Sequence, residues 1–299
     1  MTTVPRLTKT AFRSWLNGLD AFLFDCDGVL WRGDTMIPGA TQMLDLLRSL
    51  GKRVVFVTNN STKTRETYVK KLASHGIDAR AEDIVTSAWA TAQYMKNEGL
   101  AGKVYYVGEE GLGKELAAVG YEPFGLEDSK VTELPSPFTV DKSVSAVVVG
   151  LDRNVSFYKV SYAATCIRQI PGCRFIGTNP DPTFPVDGAI LPAGGSLIKF
   201  VECAAGRAPE AIVGKPSQDL LRTILTSFNL DPAKTCMVGD RLSTDIEFGR
   251  RGGVNTLLVL SGVTQESEIP HISDPAQIPD YYVDSVDAIN QFHRETLDN

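Results

Sequence analysis

The chain lacks the marks of membrane, secreted and nucleic-acid-binding proteins. No apolar run reaches the roughly 18 residues of a membrane span, and no signal-like apolar stretch follows Met1. Neither a membrane partner nor secretion is expected. Positive charge is in deficit: 30 Lys and Arg face 36 Asp and Glu, a net charge of −6, which argues against nucleic acid as the main partner. Five cysteines occur with no Cys-x-x-Cys pair. Reduced thiols and a cytoplasmic setting fit that usage better than a disulfide framework. Internal repeats and low-complexity tracts are missing too. What is present is a hydrophobic content of 43% in 299 residues, enough for one large domain or two of ordinary size.

Residues 1–19 contain Arg6, Lys9 and Arg13 and no acid. Transit peptides share that composition, but Trp15 and Leu16 suit a short helix capping a core. Four later segments carry chemistry. The apolar run Ala21–Phe24 ends in Asp25-Cys26-Asp27-Gly28. Paired acids and a glycine turn at the end of a buried strand place negative charge at the carboxyl edge of a sheet, where α/β proteins hold ligands. Isolated buried charge is costly, so a cation is required there. Strand-end aspartates also begin turns, and one such segment alone decides little.

The run Val54–Val57 ends in Thr58-Asn59-Asn60-Ser61. Thr58 and the N–H groups of Asn59 and Asn60 suit phosphate oxygens; a simple Asx turn or helix cap is the alternative. Ala211–Val213 reads as a strand before Gly214-Lys215-Pro216, with Pro216 expected in the first turn of a helix over 217–228. Thr235–Val238 leads into Gly239-Asp240, with Asp245 five residues on. That second acidic pair mirrors the first and would lie beside it in a parallel sheet.

In this order and spacing the four segments resemble the haloacid dehalogenase-like superfamily. Asp25-Cys26-Asp27-Gly28-Val29-Leu30-Trp31, Thr58-Asn59-Asn60-Ser61, Gly214-Lys215-Pro216-Ser217 and Gly239-Asp240-Arg241-Leu242-Ser243-Thr244-Asp245 are similar to its 4-nitrophenylphosphatase and phosphoglycolate phosphatase branch. The resemblance implies a doubly wound, mostly parallel α/β core with an inserted smaller α/β cap of type C2. It implies Mg2+ held by Asp25, Asp240, the carbonyl of Asp27 and waters, with Asp245 orienting the shell. Asp25 would be the nucleophile, forming an aspartyl-phosphate, and Asp27 the acid and base. Lys215 would screen charge, and Thr58 with Asn59 would hold the transferring oxygens. A dehalogenase needs no second acid, so Asp27 points to a phosphatase. To act as an acid Asp27 needs its proton near neutrality, which a crowd of carboxylates would favour.

The long stretch between Ser61 and Lys215 exceeds the roughly 30 residues of a strand-helix-strand crossover. An inserted domain is therefore expected over 99–207, with the core at 1–98 and 208–299. Gly99–Gly102 reads as a hinge. Strands are expected at 103–107, 146–149, 174–177 and 257–260, and helices at 63–75, 87–98, 113–118 and 156–170. Gly108–Glu115 nearly spells a Walker A loop, but Glu115 stands where Ser or Thr would bind Mg2+, so nucleotide binding is not expected.

By the same resemblance, Thr178–Pro185 is the cap's specificity loop, with Asn179 and Asp181 fixing it. Phe184 is its substrate-facing ring, at a position where pyridoxal phosphate phosphatases carry His and phosphoglycolate phosphatases Leu. A small phosphorylated metabolite is the expected substrate, and a homodimer through the cap the expected assembly. A pyridoxal phosphate phosphatase, a protein phosphatase and a non-catalytic phospho-ligand sensor stay open. Cys26 reads as a buried filler, with a redox brake as the other reading.

Overall fold

Apolar runs without polar alternation make strands buried on both faces, and the first unit is assembled from several of them. In the computed structural model, which describes residues 3–186 and 188–297, the chain divides in two. One unit takes the chain to Thr58, then Val69–Val85, then Lys215 onward; the other takes Asn59–Tyr68 and Thr86–Gly214.

The first unit holds a six-stranded sheet in the order Tyr281–Val283, Asn255–Val259, Thr235–Gly239, Ala21–Phe24, Arg53–Thr58, Ile84–Thr86. The first five pair in parallel. Ala21–Phe24 and Thr235–Gly239 are buried throughout. The chain runs from Ala21–Phe24 to Arg53–Thr58 on one side, while Thr235–Gly239 lies on the other. Strand order thus reverses at Ala21–Phe24, and the crevice beyond its carboxyl end is where such sheets bind ligands. The expected capping helix is present at Lys9–Asn17, with Thr8 Oγ1 accepting from the Ala11 N–H and Phe12, Trp15 and Leu16 buried. The Trp15 ring packs edge-on against Phe22 at 5.7 Å between centroids.

The second unit is a five-stranded sheet, parallel throughout, ordered Ala211–Ile212, Arg174–Gly177, Val144–Val149, Lys103–Val107, Glu122–Phe124. The helices Phe157–Gln169 and Gly194–Ala205 pack on it, closing a core of Tyr105, Val147, Ile167, Phe175 and Val201 among others. A two-stranded hairpin, Thr183–Val186 with Ala189–Pro192, adjoins the second helix. Among the described residues no helix is long and apolar enough to cross a membrane.

Several expectations shift. The division falls at 58, 68, 85 and 214 rather than at 98 and 207. Ala211–Ile212 pairs with Ile176 and Gly177, which keeps the returning chain in the second sheet past residue 208. Gly99 and Gly102 have positive φ but form a turn inside the second unit, between the helix Ser87–Asn97 and the strand Lys103–Val107. Pro216 precedes the N-cap Ser217 of the helix Gln218–Ser227, two residues before its first helical position. The helix expected from Gly113 begins at Glu110. In the Walker-like segment Gly111 serves packing: a Cβ there would stand 2.4 Å from Thr62 O. Lys114 is spent on Glu110 at 2.8 Å.

Candidate active site

Two neighbouring strand ends in the first unit bring acids to one lysine. Asp25 extends its strand, donating its N–H to Val238 O at 2.9 Å. Asp240 follows Gly239 on the adjacent strand. Asp25, Asp240 and Asp245 are buried, and one carboxylate oxygen of each lies within 4.8 Å of the others. Lys215 Nζ stands 2.6 Å from Asp25 Oδ1, 2.7 Å from Asp245 Oδ1 and 2.7 Å from Val57 O. Three acceptors match the three protons of a buried ammonium.

Asp245 sits in a single π-helical turn, Leu242–Ile246, a distortion frequent at functional sites. The turn aims its carboxylate back at the strand end, where Oδ2 accepts the N–H groups of Asp240 and Arg241 at 3.2 and 3.1 Å. Gly239 makes room: a Cβ there would lie 2.1 Å from Asp245 Cβ. Asp240 Oδ2 accepts from the Val263 N–H at 2.7 Å. Around that oxygen a Cβ on Gly28, at φ +88°, would approach to 2.4 Å, and one on Gly262 to 1.8 Å. Gly262 and Val263 were not singled out from the sequence; the signal was a glycine soon after the late apolar run.

Burial pushes the Asp25 carboxyl well above the usual range; Lys215 pulls it back, while Asp245 and Asp240 push it further up. Asp240 is raised by burial first and then by the charge of Asp245. For Lys215 burial acts downward, but Asp245 and Asp25 outweigh it and hold the ammonium charged. Three buried carboxylates against one cation leave negative charge in excess. An all-oxygen donor set so closely grouped fits a hard divalent cation such as Mg2+.

Asp27 departs from expectation. Its residue is exposed, and Oδ1 accepts from Trp31 Nε1 at 2.8 Å. The chain turns at Gly28, and the carboxylates that gather are those of Asp25, Asp240 and Asp245. Cys26 is fully buried, and burial pushes its thiol well up. It is the inert filler, and the redox brake loses its basis.

Thr58 ends its strand and is buried. Asn59, Asn60 and Phe184 belong to the second unit. There the Asn59 amide donates to Asp181 Oδ2 at 3.0 Å, and Asn59 O accepts from Asn179 Nδ2 at 2.8 Å and Ser87 Oγ at 2.6 Å. Asn179 Oδ1 accepts the Asp181 N–H at 3.1 Å. Asn179 and Asp181 thus tie the proline-rich segment to Asn59, as fixing residues should. Asn60 Oδ1 accepts both the N–H and the hydroxyl of Thr62 at 2.8 Å, so its side chain builds the Asx turn. Phe184 is half-buried and lies on a hairpin strand opposite Leu191. Only residues 178–182 of the expected loop are irregular, because backbone pairing captures the rest.

Comparison with known proteins agrees with this geometry. A family profile described as haloacid dehalogenase-like hydrolase matches residues 22–122, and a related HAD-hydrolase-like profile matches residues 212–289. The chain is 43% identical to "Phosphoglycolate phosphatase 2" of Arabidopsis thaliana over 95% of its own length and 96% of the relative's. It is 42% identical to "4-nitrophenylphosphatase" of Schizosaccharomyces pombe, covering 92% and 94%. The solved glycerol phosphate phosphatase of Mycobacterium tuberculosis, in complex with magnesium, superposes with a TM-score of 0.77 at 30% identity, covering 92% of this chain and 77% of that one. The chain belongs to the haloacid dehalogenase-like hydrolases.

Proposed function

We propose that the protein is a Mg2+-dependent phosphatase that hydrolyses small phosphate monoesters through an aspartyl-phosphate on Asp25. The observation that carries this is Lys215 held at 2.6 Å from Asp25 inside an acidic cluster. Burial works against the Asp25 carboxylate that must attack; the paired ammonium opposes that rise, and a divalent cation held there would oppose it further. The Asp25 carboxylate attacks phosphorus and the bond to the leaving oxygen breaks. Asp27, exposed beside it in sequence, gives that oxygen a proton. Asp27 then takes a proton from the water that attacks the acyl phosphate, which regenerates Asp25 and releases phosphate. Mg2+, when held by Asp25, Asp240 and the Asp27 carbonyl, would neutralise charge on the phosphoryl group. Asp245, engaged by two N–H groups and Lys215, would orient this set. Thr58 and the Asn59 and Asn60 backbone would hold the transferring oxygens.

The relatives' names support phosphoglycolate-like and 4-nitrophenyl esters as substrates. Phe184 offers no polar group to a pyridine ring, which favours small aliphatic esters over pyridoxal phosphate. The second unit would be the type-C2 cap. A homodimer through it would cover Val186, Ile190 and Leu191 on the hairpin and Phe200 on the adjoining helix; Ile190 is 73% exposed. A partner for these side chains is what such an apolar patch calls for. Five free cysteines support a cytoplasmic setting.

Phosphate release from a panel of esters, with Mg2+ and with EDTA, tests the activity. Turnover should need Mg2+ and vanish in Asp25→Asn, and Phe184→Ala should reorder the panel. Turnover that survives Asp25→Asn would remove the covalent route. Sedimentation should show a dimer that Ile190→Asp splits; a monomeric wild type would end the assembly reading.

A further inference from the structure

Trp31 is fully buried, yet its one polar atom is aimed at the exposed acid. Nε1 donates to Asp27 Oδ1 at 2.8 Å. The turn between them is tight: Gly28 donates its N–H to Trp31 O at 2.7 Å, and Leu30 donates to Cys26 O at 2.9 Å. The indole cannot swing away. Lys71 Nζ lies 4.3 Å from its ring centroid and donates to Gly33 O at 2.9 Å. The His75 ring stacks on it at 6.2 Å and 24° between planes. An exposed carboxylate would otherwise sample several rotamers. Here one of its oxygens is pinned by a donor that Lys71 and His75 hold in place.

We propose that Trp31 is a positioning residue for proton transfer: its indole N–H fixes Asp27 Oδ1, so the other oxygen, Oδ2, faces the leaving group and carries the proton. The N–H donor occupies a lone pair of Oδ1 and so favours the proton on Oδ2, the proposed site of transfer. The inference rests on the phosphatase reading and on Asp27 as the acid. A purely structural account would have the carboxylate merely satisfying a buried indole. The two accounts differ in what removing the N–H does to esters of different leaving groups.

The experiment compares kcat/KM, which reports the step that expels the leaving group, for glycerol phosphate and 4-nitrophenyl phosphate. Trp31→Phe keeps an aromatic ring. Benzothienylalanine at position 31 keeps the full indole shape with sulfur in place of N–H, and serves if the smaller ring destabilises the fold. The alkyl ester should lose about 10- to 100-fold, the worth of one hydrogen bond to a charged group and of sub-ångström placement. The nitrophenyl ester, whose leaving group needs little protonation, should lose less than about 3-fold. Equal losses on both esters, or no loss on either, would overturn the positioning role. A wild type without Mg2+-dependent turnover would fail the phosphatase reading instead, a distinct result.

Discussion

The two units are both parallel α/β sheets, and their carboxyl edges treat charge in opposite ways. At the first, Asp25, Asp240 and Asp245 share Lys215. At the second, Asp152 and Glu109 each have a cation of their own. Asp152 pairs with Lys159 at 2.5 Å with both side chains almost fully buried, and Glu109 takes a bidentate Arg153 at 2.7 Å to each nitrogen. At one edge these acids are matched by bases; at the other three acids share one lysine, a donor set that fits a divalent cation. The same fold thus yields a structural edge or a reactive one, according to whether its buried acids are matched one to one.

That contrast breaks most sharply at the balanced edge. Asp152→Ala would leave Lys159 buried and uncompensated, at a cost of about 3 to 5 kcal/mol. Urea denaturation read by hydrogen exchange should place the loss in the second unit. Replacing both partners, Asp152→Leu with Lys159→Met, should recover most of it. A single mutant as stable as wild type would mean that water reaches Lys159.

At the deficient edge the sign reverses. Asp240→Asn removes one of the mutually repelling buried acids, so the metal-free protein should gain about 1 to 3 kcal/mol. The same variant should lose the rise in Tm that Mg2+ gives the wild type. Destabilisation of the metal-free protein would show that the Val263 contact outweighs the repulsion.

A smaller effect follows from pH. Asp25 and Asp240 have folded values above the ordinary carboxylate value. Between that value and the raised one the native state binds more protons than the unfolded chain. Stability without metal therefore falls as pH rises through that window, from about pH 4 to about 7 for Asp240, by about 1 to 2 kcal/mol. Saturating Mg2+ should flatten the slope. A metal-free slope of the opposite sign would place the carboxylates below their usual range.

Much of this site could be read from the sequence because each acid directly follows an apolar strand. Ala21–Phe24 and Thr235–Gly239 needed no long-range information to be recognised, and Asp25 and Asp240 came with them. Asp245 was legible as an acid near a strand end, but its π-helical turn was not, since that bulge depends on the fit of Gly239 beneath it. Gly262 and Val263 reach Asp240 only once the sheet is formed. The hairpin at Thr183–Pro192 was obscured by its prolines, which suit an edge ribbon as well as a loop. Trp31 read as part of a motif; that its N–H meets Asp27 depends on a turn whose geometry is set by Gly28.

The site also has a timetable. Lys215 follows Asp25 by 190 positions, and Thr235–Gly239 comes later still. At typical rates of synthesis about 10 to 40 s separate the emergence of Asp25 and Lys215. Until Thr235–Gly239 emerges, Ala21–Phe24 has only one of its two partner strands, Arg53–Thr58, available to it. Residues 86–214, all belonging to the second unit, leave the ribosome before the first sheet can close. The acidic edge is therefore among the last features the growing chain can complete, since a product that ends before Gly262 lacks the backbone that packs against Asp240.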